Sequence, residues 1–152
     1  MTVYDHSTVP SATGTTLVSA VNGSKCANDN GGSSAEGNPI SIHDCSTPSG
    51  TAQTFQVGEN GELRVAGTCV TTKAGGTAVR TLIQLNTCNG ANGQQWLPTP
   101  DSGFYNPQTG LCLDLPAART DNGTQLELSG CYGLNAERWL TTGLATPLGA
   151  TG

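Results

Sequence analysis

The stretch Cys112-Leu113-Asp114-Leu115, continuing to Gln125-Leu126-Glu127-Leu128-Ser129-Gly130-Cys131, decides the fold because its skeleton occurs three times in the chain. Moving back 43 residues carries Cys112 and Cys131 onto Cys69 and Cys88, and a second step carries them onto Cys26 and Cys45. The aliphatic positions move with them. Leu126 falls on Ile83 and Ile40, Leu128 on Leu85 and Ile42, and Leu113 on Val70 and Ala27. Each copy closes on an aromatic, Phe55, Trp96 or Trp139. Self-similarity at a period of about 20 to 50 residues means one supersecondary unit repeated, so the chain reads as three copies of one motif.

Within a copy, Ile40-Ser41-Ile42 and Gln125-Leu126-Glu127-Leu128 alternate apolar and polar residues, the period of a half-buried strand. Turn residues punctuate these strands at Asn30-Gly31-Gly32, Asn60-Gly61, Gly75-Gly76, Asn89-Gly90, Asn92-Gly93 and Asp121-Asn122-Gly123. No stretch has the pattern of an amphipathic helix. A repeat of this length holds about four strands with their turns, so three copies give about twelve. Three blades would not close a propeller. The expected fold is all-β, a threefold-closed β-trefoil over residues 17–142, with 1 to about 16 as a linker or the tail of a preceding domain and 143–152 as a C-terminal tail.

Only 35% of the residues are hydrophobic and 21 of 152 are Gly, so few large side chains are available for the interior and cross-links are expected to supplement it. Six cysteines allow fifteen pairings. A constant spacing repeated three times favours one local bridge per copy, Cys26 with Cys45, Cys69 with Cys88 and Cys112 with Cys131. Such bridges imply an oxidising compartment, hence a secreted protein. The start from Met1 shows neither a basic segment nor an apolar run, so the chain is read as a mature fragment with an added Met. The net charge of −5 disfavours nucleic acid and anionic lipid as partners, and no apolar run is long enough to span a bilayer.

The run Asn106-Pro107-Gln108-Thr109-Gly110-Leu111-Cys112-Leu113-Asp114-Leu115-Pro116, with Asp121-Asn122-Gly123-Thr124-Gln125-Leu126 and Cys131, resembles a ricin B-type lectin repeat. The closures Gln53/Phe55, Gln94/Trp96 and Glu137/Trp139 fit the Gln-x-Trp signature of the same family, grouped in bacterial enzymes as carbohydrate-binding module family 13. The resemblance covers about residues 17 to 142. It implies a β-trefoil that is not itself catalytic, binds carbohydrate, and is linked covalently to a glycoside hydrolase. In the family, the sugar site uses an Asp two residues after the first cysteine, an aromatic two before the second, and Asn-Gln just before the closing Trp.

No repeat here carries the full set. The third keeps Asp114, with Ser129 at the stacking position, Glu127 and Glu137 where Gln is usual, and Ala136 where Asn is usual; Tyr132 and Asn135 lie one residue from useful positions. The first offers an altered pocket of Asn28, Asp29, His43, Asp44 and Gln53. The second, with Thr71, Asn86 and Gly93 at the corresponding positions, is expected to be dead as a sugar site. Two rival uses of the acids Asp114, Glu127 and Glu137 are glycoside hydrolysis by paired carboxylates and Ca²⁺ ligation. Neither is favoured, and no metal or cofactor is expected. The alternative to sugar binding is a degenerate trefoil serving as a structural spacer.

Overall fold

The structure is a computed structural model and describes residues 14–46, 50–58 and 61–141. Residues 1–13 of the expected linker, residue 142 and the expected tail 143–152 lie outside the described residues. Twelve strands are present among those described, with single 3-10 turns between them and no α-helix. They are β1 (Leu17–Ser19), β2 (Lys25–Asp29), β3 (Ile40–Asp44), β4 (Phe55–Val57), β5 (Leu63–Val65), β6 (Thr68–Thr72), β7 (Ile83–Asn86), β8 (Leu97–Pro98), β9 (Phe104–Asn106), β10 (Leu111–Asp114), β11 (Glu127–Ser129) and β12 (Trp139–Thr141).

They form three antiparallel four-stranded sheets, ordered β12-β1-β2-β3, β4-β5-β6-β7 and β8-β9-β10-β11. The strand opened by each closing aromatic therefore belongs to the next repeat's sheet. The last strand returns to the first, with Ser19 opposite Trp139 and Leu17 opposite Thr141, which closes the ring. Thr15, which sequence assigns to the leading segment, exchanges both backbone hydrogen bonds with Phe55 at 2.8 Å.

A second ring of backbone hydrogen bonds locks each repeat to its neighbour. The Gly37 N–H donates to the Leu85 carbonyl, Arg80 to Leu128 and Gly123 to Ile42, so a loop from each repeat lies over the next repeat's hairpin. These are the same contact made three times. The repeat is thus not a self-sufficient unit; each copy completes another.

The core follows the repeat. Ile40/Ile83/Leu126, Ile42/Leu85/Leu128 and Ala27/Val70/Leu113 are all buried, together with Phe55, Trp96 and Trp139. The two indoles solve the polar problem that burial creates. Trp96 Nε1 donates to the Val70 carbonyl at 3.0 Å and Trp139 Nε1 to the Leu113 carbonyl at 3.2 Å. All three disulfides join the local pairs, so the repeat chose correctly among the fifteen pairings.

Turn chemistry is also as expected at Gly31, Gly32, Gly61, Gly75, Gly90 and Gly123, which have positive φ. Gly76 and Gly93 are different. Neither has positive φ; a Cβ at Gly76 would lie 2.7 Å from Thr81 Cγ2 and one at Gly93 2.4 Å from Thr72 Oγ1, so both are needed for close approach.

Candidate functional site

Strand parity decides which side chains can share a site. In the third repeat Asp114 faces Glu127 across the β10–β11 ladder and Cys112 faces Ser129, while Leu113 and Leu128 between them point to the core. The same ladder in the first repeat sets Asn28 opposite Ser41 and Cys26 opposite His43. In the second it sets Thr71 opposite Gln84 and Cys69 opposite Asn86. Each repeat therefore presents five equivalent positions on its outer face, the fifth filled by Gln53, Gln94 or Glu137 from the turn before the aromatic.

That register divides the first-repeat candidates. Asn28 and His43 share the outer face, but Asp29 and Asp44 sit one residue out of phase and lie on the other face. A one-residue step along a strand reverses the side chain's direction, so adjacency in sequence separates these pairs. Asp29 is fully buried and receives Asn38 Nδ2; burial pushes its carboxyl up, partly offset by that hydrogen bond. Asp44 is exposed and bound to Lys25 Nζ at 2.7 Å and Asn122 Nδ2 at 3.1 Å, and the Lys25 hydrogen bond leads in holding it below its ordinary value. His43 is exposed. Gln53 is buried and already committed: its Nε2 donates to the Asp44 carbonyl and Asn28 Oδ1, and its Oε1 accepts the Ser46 N–H. Of the five, only Asn28 and His43 are left facing outward together.

The second repeat is occupied by the protein itself. Glu36, from the loop that crosses from the first repeat, accepts Asn86 Nδ2 at 2.7 Å and takes both the N–H and hydroxyl of Thr87. Asn86 holds the position where an aromatic would stack. Gly93, standing where the family has Asn, is pressed under Thr72. Gln94 pins its loop by donating to the Thr87 carbonyl at 2.9 Å and accepting the Asn89 N–H at 3.0 Å.

The third repeat builds a walled hollow from its ladder face, whereas a second-repeat hollow lined by Cys69, Cys88 and Gln94 reaches neither Thr71 nor Gln84. A pocket of about 590 Å³ is lined by Asp114, Glu127, Ser129, Glu137, Tyr132 and Asn135, bringing together every third-repeat candidate read from the sequence. The second repeat's loop contributes Val79 and Arg80, and Leu134 completes the rim. Sequence reading missed these three. For Val79 and Arg80 the signal is the 43-residue period applied across repeats: Val79 falls on Glu36 and Asn122, the residues that reach onto the neighbouring hairpin in the other two copies.

The walls and floor differ in character. Val79 is 54% exposed, Leu134 58% and Tyr132 74%, three of the five large apolar side chains most open to water, and all rim this pocket. The Tyr132 ring folds back over Gly130, where a Cβ would lie 2.5 Å from it. An aromatic thus stands beside Ser129, at the position the ladder leaves small. The floor holds Asp114, 7% exposed, and Glu137, 3% exposed, whose Oε1 accepts the Tyr132 N–H at 2.7 Å. Burial, then the charges of Glu127 and Glu137 and a hydrogen bond with Glu127, push the Asp114 carboxyl up to about 7. Among the described residues no three Asp, Glu, His or Cys side chains are gathered closely enough to hold a metal ion.

A threefold β-trefoil with one walled, carboxyl-floored pocket under an aromatic rim defines a lectin-type module. The model of the ricin-type beta-trefoil lectin domain matches residues 13–139, and the chain belongs to that family. The domain is non-catalytic in itself, and its fold is that of a carbohydrate-binding module. Among solved structures the chain is similar to the designed threefold symmetric protein ThreeFoil, with TM-score 0.75, 19% identity, and 86% of this chain and 98% of that one covered. It is also similar to the agglutinin from Abrus precatorius, with TM-score 0.76, 20% identity, and 84% and 47% covered. A third is the C-half of the earthworm R-type lectin, in complex with GalNAc, with TM-score 0.70, 15% identity, and 84% and 95% covered. No curated protein matches the chain in sequence.

Proposed function

We propose that this chain is a sugar-binding module whose working site is the third-repeat pocket. The observation that carries the reading is the pairing of a buried carboxyl floor at Asp114 with the apolar rim of Val79, Tyr132 and Leu134. A sugar needs both: acceptors for its hydroxyls, and an apolar surface for the C–H face of its ring. Galactose-, arabinose- and xylose-type sugars are the proposed ligands. The Asn28/His43 face is a second, weaker site, and Glu36 keeps the second repeat closed.

A single shallow site of this kind binds a monosaccharide with a Kd of about 1 mM, roughly −4 kcal/mol. Useful retention on a polysaccharide then comes from effective concentration, which a covalently attached enzyme provides. The module is accordingly read as an appendage of a secreted glycoside hydrolase. The three disulfides support the extracellular assignment. The second reading, a spacer without sugar binding, is favoured by Ser129 at the stacking position and by the Glu36 clamp.

An NMR titration of labelled protein with galactose, arabinose and xylose tests the choice. Saturating shifts at Tyr132, Glu127 and Asp114 that disappear in Asp114→Ala establish the site. Absence of shifts with all three leaves the spacer reading.

A further inference from the structure

The three repeats supply an internal comparison of charge at equivalent positions. The first repeat places Asn28, Ser41 and Gln53 around its outer face, and the second places Thr71, Gln84 and Gln94. All six are neutral. The third places Asp114, Glu127 and Glu137. Every polar position of that set has become an acid in one repeat only, and there all three acids line one pocket.

A neutral sugar does not need this. One carboxylate accepts a pair of hydroxyls, and two further carboxyls beside it raise the cost of keeping the first one charged. Asp114 is more than nine-tenths buried against the pocket, and its hydrogen-bond partner is Glu127, another acid with nothing to donate once ionised. When Asp114 ionises, neither it nor Glu127 has a proton to give, and the partner that would offset the buried charge is a cation or a strong donor. The chain's own cation does not supply it: Arg80 lines the wall but is exposed and forms no ion pair with any of the three acids. The acids are also too spread to close on a metal ion, which leaves room for something larger.

We propose that the third-repeat pocket selects a sugar bearing a free, protonated amine, with the ammonium on the Asp114, Glu127 and Glu137 floor and the ring against Tyr132. This rests on the sugar-binding reading and names its ligand class. An ammonium brings one positive charge and three donors to a floor of three carboxyl groups, all acceptors once ionised, and the Tyr132 face adds a cation–π contribution. N-acetylation removes the charge and puts a carbonyl oxygen among carboxyls. Since burial first, and then its acidic neighbours, raise the Asp114 carboxyl, the arriving ammonium draws it back toward the ionised state and a proton leaves on binding.

The experiment is an NMR titration with galactosamine, N-acetylgalactosamine, galactose and ethanolamine near about pH 6, where the amines are protonated. Galactosamine is expected to bind at the third pocket at least about tenfold more tightly than the other two sugars, or about 1.4 kcal/mol. Glu127→Gln and Glu137→Gln are each expected to shrink that ratio; the second restores the residue type the other two repeats carry, so it tests charge without unfolding the loop. Galactose or N-acetylgalactosamine binding as tightly as galactosamine overturns the proposal and leaves sugar binding intact. Ethanolamine binding as tightly as galactosamine overturns the amino-sugar assignment and the sugar reading together, leaving a plain amine site. A ratio unchanged in both Gln variants also overturns it.

Discussion

Glu137 stands in the third repeat where Gln94 stands in the second, and only Gln94 can make both hydrogen bonds that the position calls for. Each accepts a loop N–H, from Tyr132 at 2.7 Å and from Asn89 at 3.0 Å. Gln94 also donates to the Thr87 carbonyl at 2.9 Å, and Gln53 does the same to the Asp44 carbonyl. An ionised glutamate has no proton to give. The third repeat has exchanged a loop-pinning donor for a negative charge beside Asp114.

Glu137→Gln is therefore expected to stabilise the fold, by about 1 kcal/mol for one recovered hydrogen bond. The gain is largest above neutral pH, where the acids repel most. Denaturant midpoints at about pH 8 for the parent and variant check this; a variant less stable than the parent contradicts it.

Asp114 makes stability depend on pH in an unusual direction for a carboxylate. Its folded-state pKa of about 7 lies above the ordinary 3.8, so between those values the folded protein holds a proton that the unfolded chain has released. This contribution is fully present below about pH 4, declines as pH rises, and levels off above about 7. Thermal unfolding is expected to show a parent that loses stability from pH 5 to 8 relative to Asp114→Asn, by a few kcal/mol at most. Parallel pH profiles for the two proteins would refute it.

Ala117 and Ala118 have φ of 51° and 55°, where the first repeat carries Gly31 and Gly32 at 67° and 69°. Two consecutive left-handed alanines at the edge of the pocket hold strain that glycine lacks. Ala117→Gly and Ala118→Gly are each expected to stabilise by about 0.5–1 kcal/mol, less than the roughly 1–2 kcal/mol penalty because glycine frees the unfolded chain. Equilibrium unfolding of the single variants measures the difference.

Trp96→Phe tests how much the buried indole bond matters. Its loss leaves the Val70 carbonyl without the Nε1–H donor at 3.0 Å, at a cost of about 1–3 kcal/mol, to which the lost ring volume adds. The first repeat folds with Phe55 at this position, so the variant is expected to fold. An unchanged denaturant midpoint would show that the carbonyl finds another donor.

The period carried most of the fold into view. Cysteine spacing, the paired aliphatics and the closing aromatics are local and repeated, so three copies reinforced one reading. The site was less legible. Asp29 and Asp44 looked like neighbours of Asn28 and His43, yet the β2–β3 register turns them to the opposite face. Tyr132 was a candidate from its offset, but Val79 was not, because it reaches the site from another repeat and shows only when the period is applied across copies rather than within one.

By itself the sequence determined the threefold all-β architecture, the three disulfides and the family, because hydrophobic period, turn residues and cysteine intervals act within one copy of the motif. Tertiary structure alone decided which copy keeps an open site. Each loop crosses to the next repeat, so the fate of every pocket depends on a residue far away in sequence: Glu36 reaches Asn86 and Thr87 and fills the second face, whereas Val79 brings an apolar wall to the third and leaves its acids facing an open hollow.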